Sequence, residues 1–533
     1  MTSEAYDENH NENINETAIN DGGQESNEKS SGAPGWFISV AVHSLFGLIF
    51  YCAVWATVQP EIERPPYIPH SIDPPAKIVE KKPLDRSLDP MVEVKITAEA
   101  EVAAPISPLD VVKEEKSQSE DNTEATIANG REEAVASSEV GQTGAFMAIG
   151  PGSNAAGPFG SRAGGGKGRA LREGGGSRAS ESSVDAALRW FKRHQSPNGM
   201  WDVEKYTNNC TDNPKCEPGS NGHGGNANVA VTGYAVLCYL GAGYDHRVPG
   251  TYKATVTKGL DYLRSVQGAD GLLGERNYEH AVATMCLAEA YAMTNDPELK
   301  GPAQKAINII LTRQNKDAKA ADAAYSGLGW DYVGPNNRND SSVTGWNVMA
   351  LKSGLAGGLN VGNGMEGSKK WLKGAWEAGN PDFKKLSDPY KDESGFPYTW
   401  DATTNTAEKD HLAPVGALCA VFLGHHAGDI MLETMCNRIM NKQFPTTYPT
   451  NTYFMYYNTL AIFQAGGERW LKWNGTVRDL LVNAQRKDEG CFNGSWDFEG
   501  TQFPGHEVGR VLSTAYCCLS LEVYYRYRRA GGK

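Results

Sequence analysis

The chain has 533 residues, 40% of them hydrophobic, and a formal net charge of −13. That length holds one large domain or two to three ordinary ones. The acidic balance, with no basic stretch interleaved with aromatics, argues against nucleic acid as the partner. The 59 glycines crowd mostly into one segment, which suggests a linker rather than a fibrous protein.

Residues 1–35 are polar and acidic and predict a disordered tail. "WFISVAVHSLFGLIFYCAVWATV", residues 36–58, follows without a charged residue. As a helix it would span about 34 Å, enough to cross a bilayer. Trp36 and Trp55 stand near its two ends, as membrane interfaces favour. The run is longer than the apolar core of a signal peptide and follows an acidic stretch, so a retained single-span anchor is expected. His43 within it is either a contact with a membrane partner or a neutral imidazole packed against another helix.

The nearby cations are Lys29 on one side and Arg64 and Lys77 on the other, a slight lean toward a cytoplasmic large domain. A Pro-rich stretch beyond the span and the cysteine pair discussed below lean the other way. The expectation is a single-pass inner-membrane protein with its large C-terminal domain in the periplasm. Residues 59–180 pass from Pro-rich ("QPEIERPPYIPHSIDPP") to Gly-rich ("GSRAGGGKGRALREGGGSR") without sustained periodicity, and predict a disordered linker.

From residue 181 to 533 two kinds of segment alternate. The first kind is amphipathic and ends in Gln, a Gly turn and an aromatic or apolar residue. "VDAALRWFKRHQSPNGMW" (184–201) is the clearest copy, and "VTKGLDYLRSVQGADGLL" (256–273) and "VRDLLVNAQRKDEGCFNGSW" (477–496) repeat it. "AQKAINIILTRQ" leading to "GLGW", "GSKKWLKGAWEAG" leading to "SGFPYTW", and a degenerate copy at 428–443 complete the set. The second kind is apolar nearly all round, as in "VAVTGYAVLCYLG" (229–241), "SSVTGWNVMALKSG" (341–354) and "LAPVGALCAVFLG" (412–424). Helices apolar on every face are buried and amphipathic ones cover them, so six alternating pairs predict an all-α domain of two concentric rings. Within the repeat Gln195, Trp201, Gln267, Trp330, Trp400, Gln485 and Trp496 have structural jobs. Gln serves carbonyls at a helix end, Gly makes a left-handed turn, and Trp buries a large ring.

This Gln–Trp repeat resembles that of squalene and other terpene cyclases, over about residues 183–528. "YEHAVATMCLAEAYAMT", "TYFMYYNTLAIFQAGGERWLKWN" and "GRVLSTAYCCLSLEVYYRY" are more narrowly similar to membrane-anchored prenyltransferase and squalene oxidase repeat proteins of planctomycete-type bacteria. The resemblance implies an (α/α)6 toroid, the fold those cyclases share with protein prenyltransferase β subunits. It names a fold and not a reaction. "WFISVAVHSLF" is similar to the anchor of TonB-type envelope proteins, whose short tail is cytoplasmic.

Squalene–hopene-type cyclases carry Asp-x-Asp-Asp-Thr, with the middle Asp as the acid that protonates an alkene. Aligned on Thr344, the first Asp is Asp340, while Ser342 and Val343 replace the next two. Serine cannot protonate an alkene, which argues against cyclisation by that route. The zinc-binding Asp–Cys spacing of prenyltransferases and the Gly-Cys-Gly-Glu-Gln of thioester domains are not found.

Acids and histidines nevertheless gather where apolar helices begin: Glu279, His280, Asp340, Asp410, His411, His506 and Glu507. These are the candidate catalytic residues, with helix capping as the competing reading. Trp346, Tyr453, Tyr456, Tyr457 and Arg510 are candidate binding residues or core. Cys210 and Cys216 suit a disulfide in an oxidising compartment. A zinc site completed by His223 and Asp212 is the alternative to it, and no metal or cofactor is assigned. The expected function is a membrane-anchored binding or scaffolding module for a lipid, isoprenoid, glycan or envelope protein. The alternative is an enzyme, cyclase-like or a polymer hydrolase or lyase, using the rim acids.

Overall fold

Burial follows the two helix types directly. In Ser341–Ala356 every residue but Leu355 is buried, whereas Gly467–Ala484 buries only Trp470, Trp473, Asn474, Val477 and Leu481, one stripe at helical spacing. The computed structural model describes residues 43–44, 159–162, 164–221, 226–323, 326–498 and 508–527. The chain divides into Met1–Leu109 and Asp110–Lys533, and the described residues of the first unit are His43 and Ser44, both helical. The remainder of the expected tail and anchor, and linker residues 59–158, lie outside the described residues. Among the described residues no helix is long and apolar enough to cross a membrane.

In chain order the helices begin with α1 (Gly164–Gly174), α2 (Arg178–His194), α3 (Ala227–Gly241), α4 (Lys253–Ser265), α5 (Asn277–Thr294) and α6 (Pro297–Thr312). They continue with α7 (Ser341–Ala356), α8 (Gly364–Gly379), α9 (Ala413–Phe422), α10 (Ile430–Lys442), α11 (Thr452–Ala465) and α12 (Gly467–Ala484). Two more, α13 (Arg510–Leu521) and α14 (Val523–Arg526), end the described chain. From α3 to α13 each odd-numbered helix packs on the next, and α13 packs back on α3, closing an inner ring of six. The even-numbered helices α2 to α12 lie outside it: α6 covers α5 and α7, α10 covers α9 and α11, and α12 covers α11 and α13. This closed double ring is the expected (α/α)6 toroid. Helix approach in the inner ring is close enough to need glycine. A Cβ on Gly345 would stand 2.7 Å from Val415 Cγ1, so the Val415 side chain of α9 packs directly on the α7 backbone there.

The Gln–Gly–Trp turns sew the outer ring together. Gln195 Nε2 donates to the carbonyls of Gly199, in its own turn, and of Thr255 on α4. Gln267 does the same to Gly271 and to Pro302 on α6, and Gln314 to Leu328 and to Gly364 on α8. Gln485 reaches Gly494 and Ser183 on α2, which joins the last pair to the first. The glutamine thus serves its turn and the next helix, rather than the free carbonyls of its own helix. The tryptophans reach helix-end carbonyls instead: Trp201, Trp330 and Trp496 donate Nε1–H to Phe191, Ile310 and Leu481, each four residues before the glutamine, the Leu481 carbonyl also accepting the Gln485 N–H. Gly199, Gly271 and Gly494 take φ of 93°, 105° and 96°, the left-handed turn the repeat predicts.

Two features depart from the sequence reading. Residues 159–162 and 164–180, assigned to the disordered linker, are ordered: a 3-10 turn at Gly160–Arg162 precedes α1 and then α2. Glycine content suggested a flexible coil, but two cations in the stretch are buried in ion pairs. Arg162 Nη1 lies 2.8 Å from Glu289 Oε2, and Lys167 Nζ 3.0 Å from Glu181 Oε2. The all-α expectation also missed a small antiparallel sheet, β1 (Arg338–Asp340), β2 (Thr399–Asp401) and β3 (Thr406–Glu408), with Asn339 opposite Trp400. Three-residue strands are too short to show alternation.

The ends of the inner helices differ. At the C-terminal end Arg162 and Arg526 share Glu289, the latter at 3.1 Å. Arg162 also donates to Leu240 O and Arg526 to Leu237 O, while Lys167 reaches Ala242 O and Lys352 reaches Phe422 O. Buried cations thus meet the carbonyl-rich, negative ends of α3 and α9. The N-terminal end holds a cavity.

Candidate functional site: a tyrosine-lined cavity at the inner-helix N-termini

A cavity of about 460 Å³ opens where the inner helices start. All six, or the residues capping them, contribute to its wall. Tyr234, Tyr278, Tyr332, Tyr398, Tyr453 and Tyr516 form most of the aromatic surface, joined by Phe454, Val231, Leu412 and Leu512. The polar edge is made by Asn221, Asn226, Arg276, Glu279, Ser342 and His411. Hydroxyls pair across the wall: Tyr234 with Tyr516 at 3.1 Å, Tyr278 with Tyr516 at 3.4 Å, and Tyr332 with Tyr398 at 3.1 Å. Burial raises the phenol of each above its usual value, so all stay protonated. Behind the wall Trp346 stacks on Tyr456 at 5.8 Å and meets Tyr234 edge-on at 5.1 Å. Tyr456 in turn stacks on Tyr516 at 5.5 Å. Such offset and edge contacts make a stiff wall.

The candidate acids and histidines meet different fates. Glu279 lines the cavity, but its Oε1 accepts the backbone N–H groups of Glu275, Arg276 and Asn226 at 2.8, 2.8 and 3.1 Å. It therefore also fixes the start of α5. His411 lines the cavity, stacked against Tyr398 at 5.9 Å, and partial burial together with Lys409 lowers its pKa. Asp340 is fully buried and does not line the wall. Its Oδ1 accepts from Ser342 Oγ at 2.6 Å and from Val343 N–H at 3.1 Å, and Oδ2 faces Arg338 Nη2 at 3.2 Å. Burial raises its pKa while those three partners oppose the rise. Asp340 is the N-cap of α7.

Other candidates leave the site. His280 does not reach the cavity, being buried in the core between Leu273 N–H, which it accepts at 3.0 Å, and Ala306 O at 3.0 Å. Desolvation lowers it to about 4, so it is a neutral structural imidazole. Asp410 is exposed and paired with Arg438 at 2.7 Å. His506 and Glu507 lie outside the described residues.

Of the candidate binding residues Tyr453 lines the cavity, while Trp346, Tyr456 and Tyr457 are fully buried and outside the lining. Arg510 belongs to the framework. It forks onto Glu217 at 2.6 and 3.1 Å and also holds Asp497 at 2.7 Å. Cys210 and Cys216 are free thiols beside His194, in a cluster that shares no residue with the cavity. His223, the other proposed ligand there, lies outside the described residues.

The sequence reading missed Tyr234, Tyr278, Tyr332, Tyr398 and Tyr516. A signal for Tyr234, Tyr278 and Tyr516 was present, because like Tyr453 they fall near the starts of the apolar segments. Tyr332 and Tyr398 sit in loops, where no periodicity points to them.

No protein-family model matches the chain, and no curated protein sequence matches it. Among solved structures, one similar chain is an alpha-amylase from Clostridium perfringens, 14% identical, covering 64% of this chain and 97% of that one with a TM-score of 0.43. Another is an inactive variant of an alpha-1,6-mannanase of Salegentibacter sp. HEL1_6 in complex with alpha-1,6-mannotetrose (11% identity, 64% and 98% coverage, TM-score 0.42). A third is the unsaturated glucuronyl hydrolase of Bacillus sp. GL1 (12% identity, 64% and 95% coverage, TM-score 0.41). Likeness at this level carries no chemistry over to this chain.

Proposed function

We propose that the toroid is a binding module that holds a small, mainly apolar ligand of the isoprenoid or lipid class in the tyrosine-lined cavity. The observation that carries this reading is Ser342. It occupies the place of a cyclase's proton donor, lines the cavity, and spends its hydroxyl proton on Asp340 at 2.6 Å. The wall therefore offers aromatic surface and neutral hydroxyls where a cyclase of that type would offer an acid. Assignment to the squalene cyclase-like repeat family, anchoring by residues 36–58 and a periplasmic toroid are parts of the same proposal. The Gln–Trp stitching supports the first of these.

A second reading, a glycan hydrolase or lyase, has Glu279 and His411 in its favour, since both line the cavity. Hydrolysis by the common two-carboxylate route needs a partner acid about 5–9.5 Å away. Among the described lining residues Glu279 is the one carboxylate.

Fluorescence titration of the full chain with farnesol and with a mannooligosaccharide separates the two. The proposal expects saturable quenching by farnesol alone, abolished by Ala230→Phe, which fills the cavity. Binding or cleavage of the oligosaccharide, lost in Glu279→Gln, would establish the second reading instead. No response to either, with nothing bound by mass spectrometry of the purified chain, would sink both.

A further inference from the structure

On the outer ring, away from the tyrosine wall, α2 ends at His194, and two cysteines of one loop close on its imidazole. The Nε2 atom lies 3.3 Å from Cys210 Sγ and 3.9 Å from Cys216 Sγ, and these three ligand atoms lie within 4.8 Å of one another. Cys491, on the 3-10 turn Gly490–Phe492, stands beside this trio: its thiol donates to Asp212 O at 3.3 Å, and its carbonyl accepts from Cys216 Sγ at 3.2 Å. His194 is fully buried and the three cysteines are 7, 5 and 1% exposed.

The surroundings orient these groups as ligands. His194 Nδ1 bonds Trp190 O at 2.8 Å, which places the proton on Nδ1 and leaves the Nε2 lone pair directed at the thiols. A backbone carbonyl behind a ligating imidazole is the usual way of fixing its tautomer. The Asp212 N–H donates to Cys491 Sγ at 3.2 Å, and the Cys491 carbonyl is held by Trp190 Nε1 at 2.9 Å. In a tetrahedral zinc site with Zn–S near 2.3 Å and Zn–N near 2.0–2.1 Å, nitrogen and sulfur ligands stand about 3.5 Å apart. The two observed separations straddle that value.

We propose that His194, Cys210 and Cys216 hold a structural zinc ion, and that Cys491 turns from the Asp212 backbone to complete a four-ligand set. Soft thiolates with one imidazole select zinc over magnesium or calcium, and four protein ligands leave no open position for chemistry. Binding displaces three thiol protons to solvent and forms three Zn–S bonds and one Zn–N bond, with no change of oxidation state. The site's role follows from what it joins. Residues 195–226 are one long connection whose one described helical turn is Tyr206–Asn209, and it supplies Asn221 and Asn226 to the cavity wall. The metal fastens this connection to α2 and to the connection between α12 and α13. It thereby clamps the seam where the last helix pair meets the first.

The test is metal analysis of the full chain purified under reducing conditions without chelator. About one equivalent of zinc per chain is expected, and cobalt in its place should give intense visible bands with thiolate-to-cobalt charge transfer. Cys216→Ser and His194→Ala should lose the metal, while Cys419→Ala, a buried thiol elsewhere, should keep it. Wild-type stoichiometry and the cobalt spectrum decide the matter even if the ligand variants fail to fold. Absence of stoichiometric metal, or a mass deficit of two hydrogens mapping to a disulfide among Cys210, Cys216 and Cys491, would overturn the proposal.

Discussion

The two ends of the inner ring are built from opposite chemistry. At the C-terminal end Arg162, Arg526, Glu289 and Glu522 are wholly buried, and the space is filled by the ion pairs of Glu289 with the two arginines, by the Glu522 carboxyl and by helix-end carbonyls. At the N-terminal end the charged groups are spent on caps and the interior is left as an aromatic hollow. The same six helices thus have a closed end that holds the ring and an open end with the hollow where the proposed ligand would sit.

That division is broken most sharply by Glu289→Ala. It strands two buried guanidiniums and is expected to cost about 3–5 kcal/mol in denaturant unfolding. A loss below about 1 kcal/mol would mean the closed end is not the brace. Next comes Gln485→Ala, which cuts the bonds from the last turn to α2 and leaves the buried Ser183 and Gly494 carbonyls wanting. About 1–3 kcal/mol should be lost, with no effect on cavity binding beyond that loss.

The pH response sharpens the same contrast. Burial pushes the Glu522 carboxyl up to about 8, Arg526 and Lys167 opposing it only partly. Because the folded value lies above the unfolded one, the folded state holds the extra proton. That contribution is complete below the ordinary glutamate range and is lost as pH rises toward 8, at up to about 1.4 kcal/mol per pH unit. Glu522→Gln should flatten the slope, as measured by melts between pH 5 and about 8. An unchanged slope would assign it elsewhere.

The smallest effect on stability belongs to the open end. Tyr516→Phe removes one hydroxyl shared by Tyr234 and Tyr278 and should cost about 1 kcal/mol or less. It should nevertheless weaken ligand capture about tenfold. The reverse outcome, a large stability loss with binding intact, would make the hollow a mere packing defect.

The helix alternation was legible because inner and outer helices differ in burial on every turn. The apolar segments coincide with the inner helices to within a few residues, whereas the amphipathic copies only overlap the outer ones, α12 beginning at Gly467, ten residues before its copy at 477–496. Asp340 was legible as a cap for the same reason, its carboxylate preceding an apolar run. The order at 159–162 and 164–180 was not, since it comes from Arg162 and Lys167 meeting Glu289 and Glu181, partners up to 127 residues away. The histidine–cysteine cluster was half legible. Cys210 and Cys216 announce a loop pair, but His194 looks like the basic end of a helix, and Cys491 stands 275 residues beyond Cys216. Contacts of that range leave no local trace.

The closure of α13 onto α3 has a bearing on how the domain comes apart. A linear stack of helix pairs has two terminal units, each with one neighbour, and it frays from them. Here every pair has two neighbours. The first and last described segments of the second unit are also tied to each other, Ser161 Oγ to Tyr525 O at 2.8 Å and Arg162 Nη2 to Arg526 O at 3.3 Å. No pair is cheapest to lose, so the fold has no natural starting point for partial unfolding and should melt as one cooperative unit.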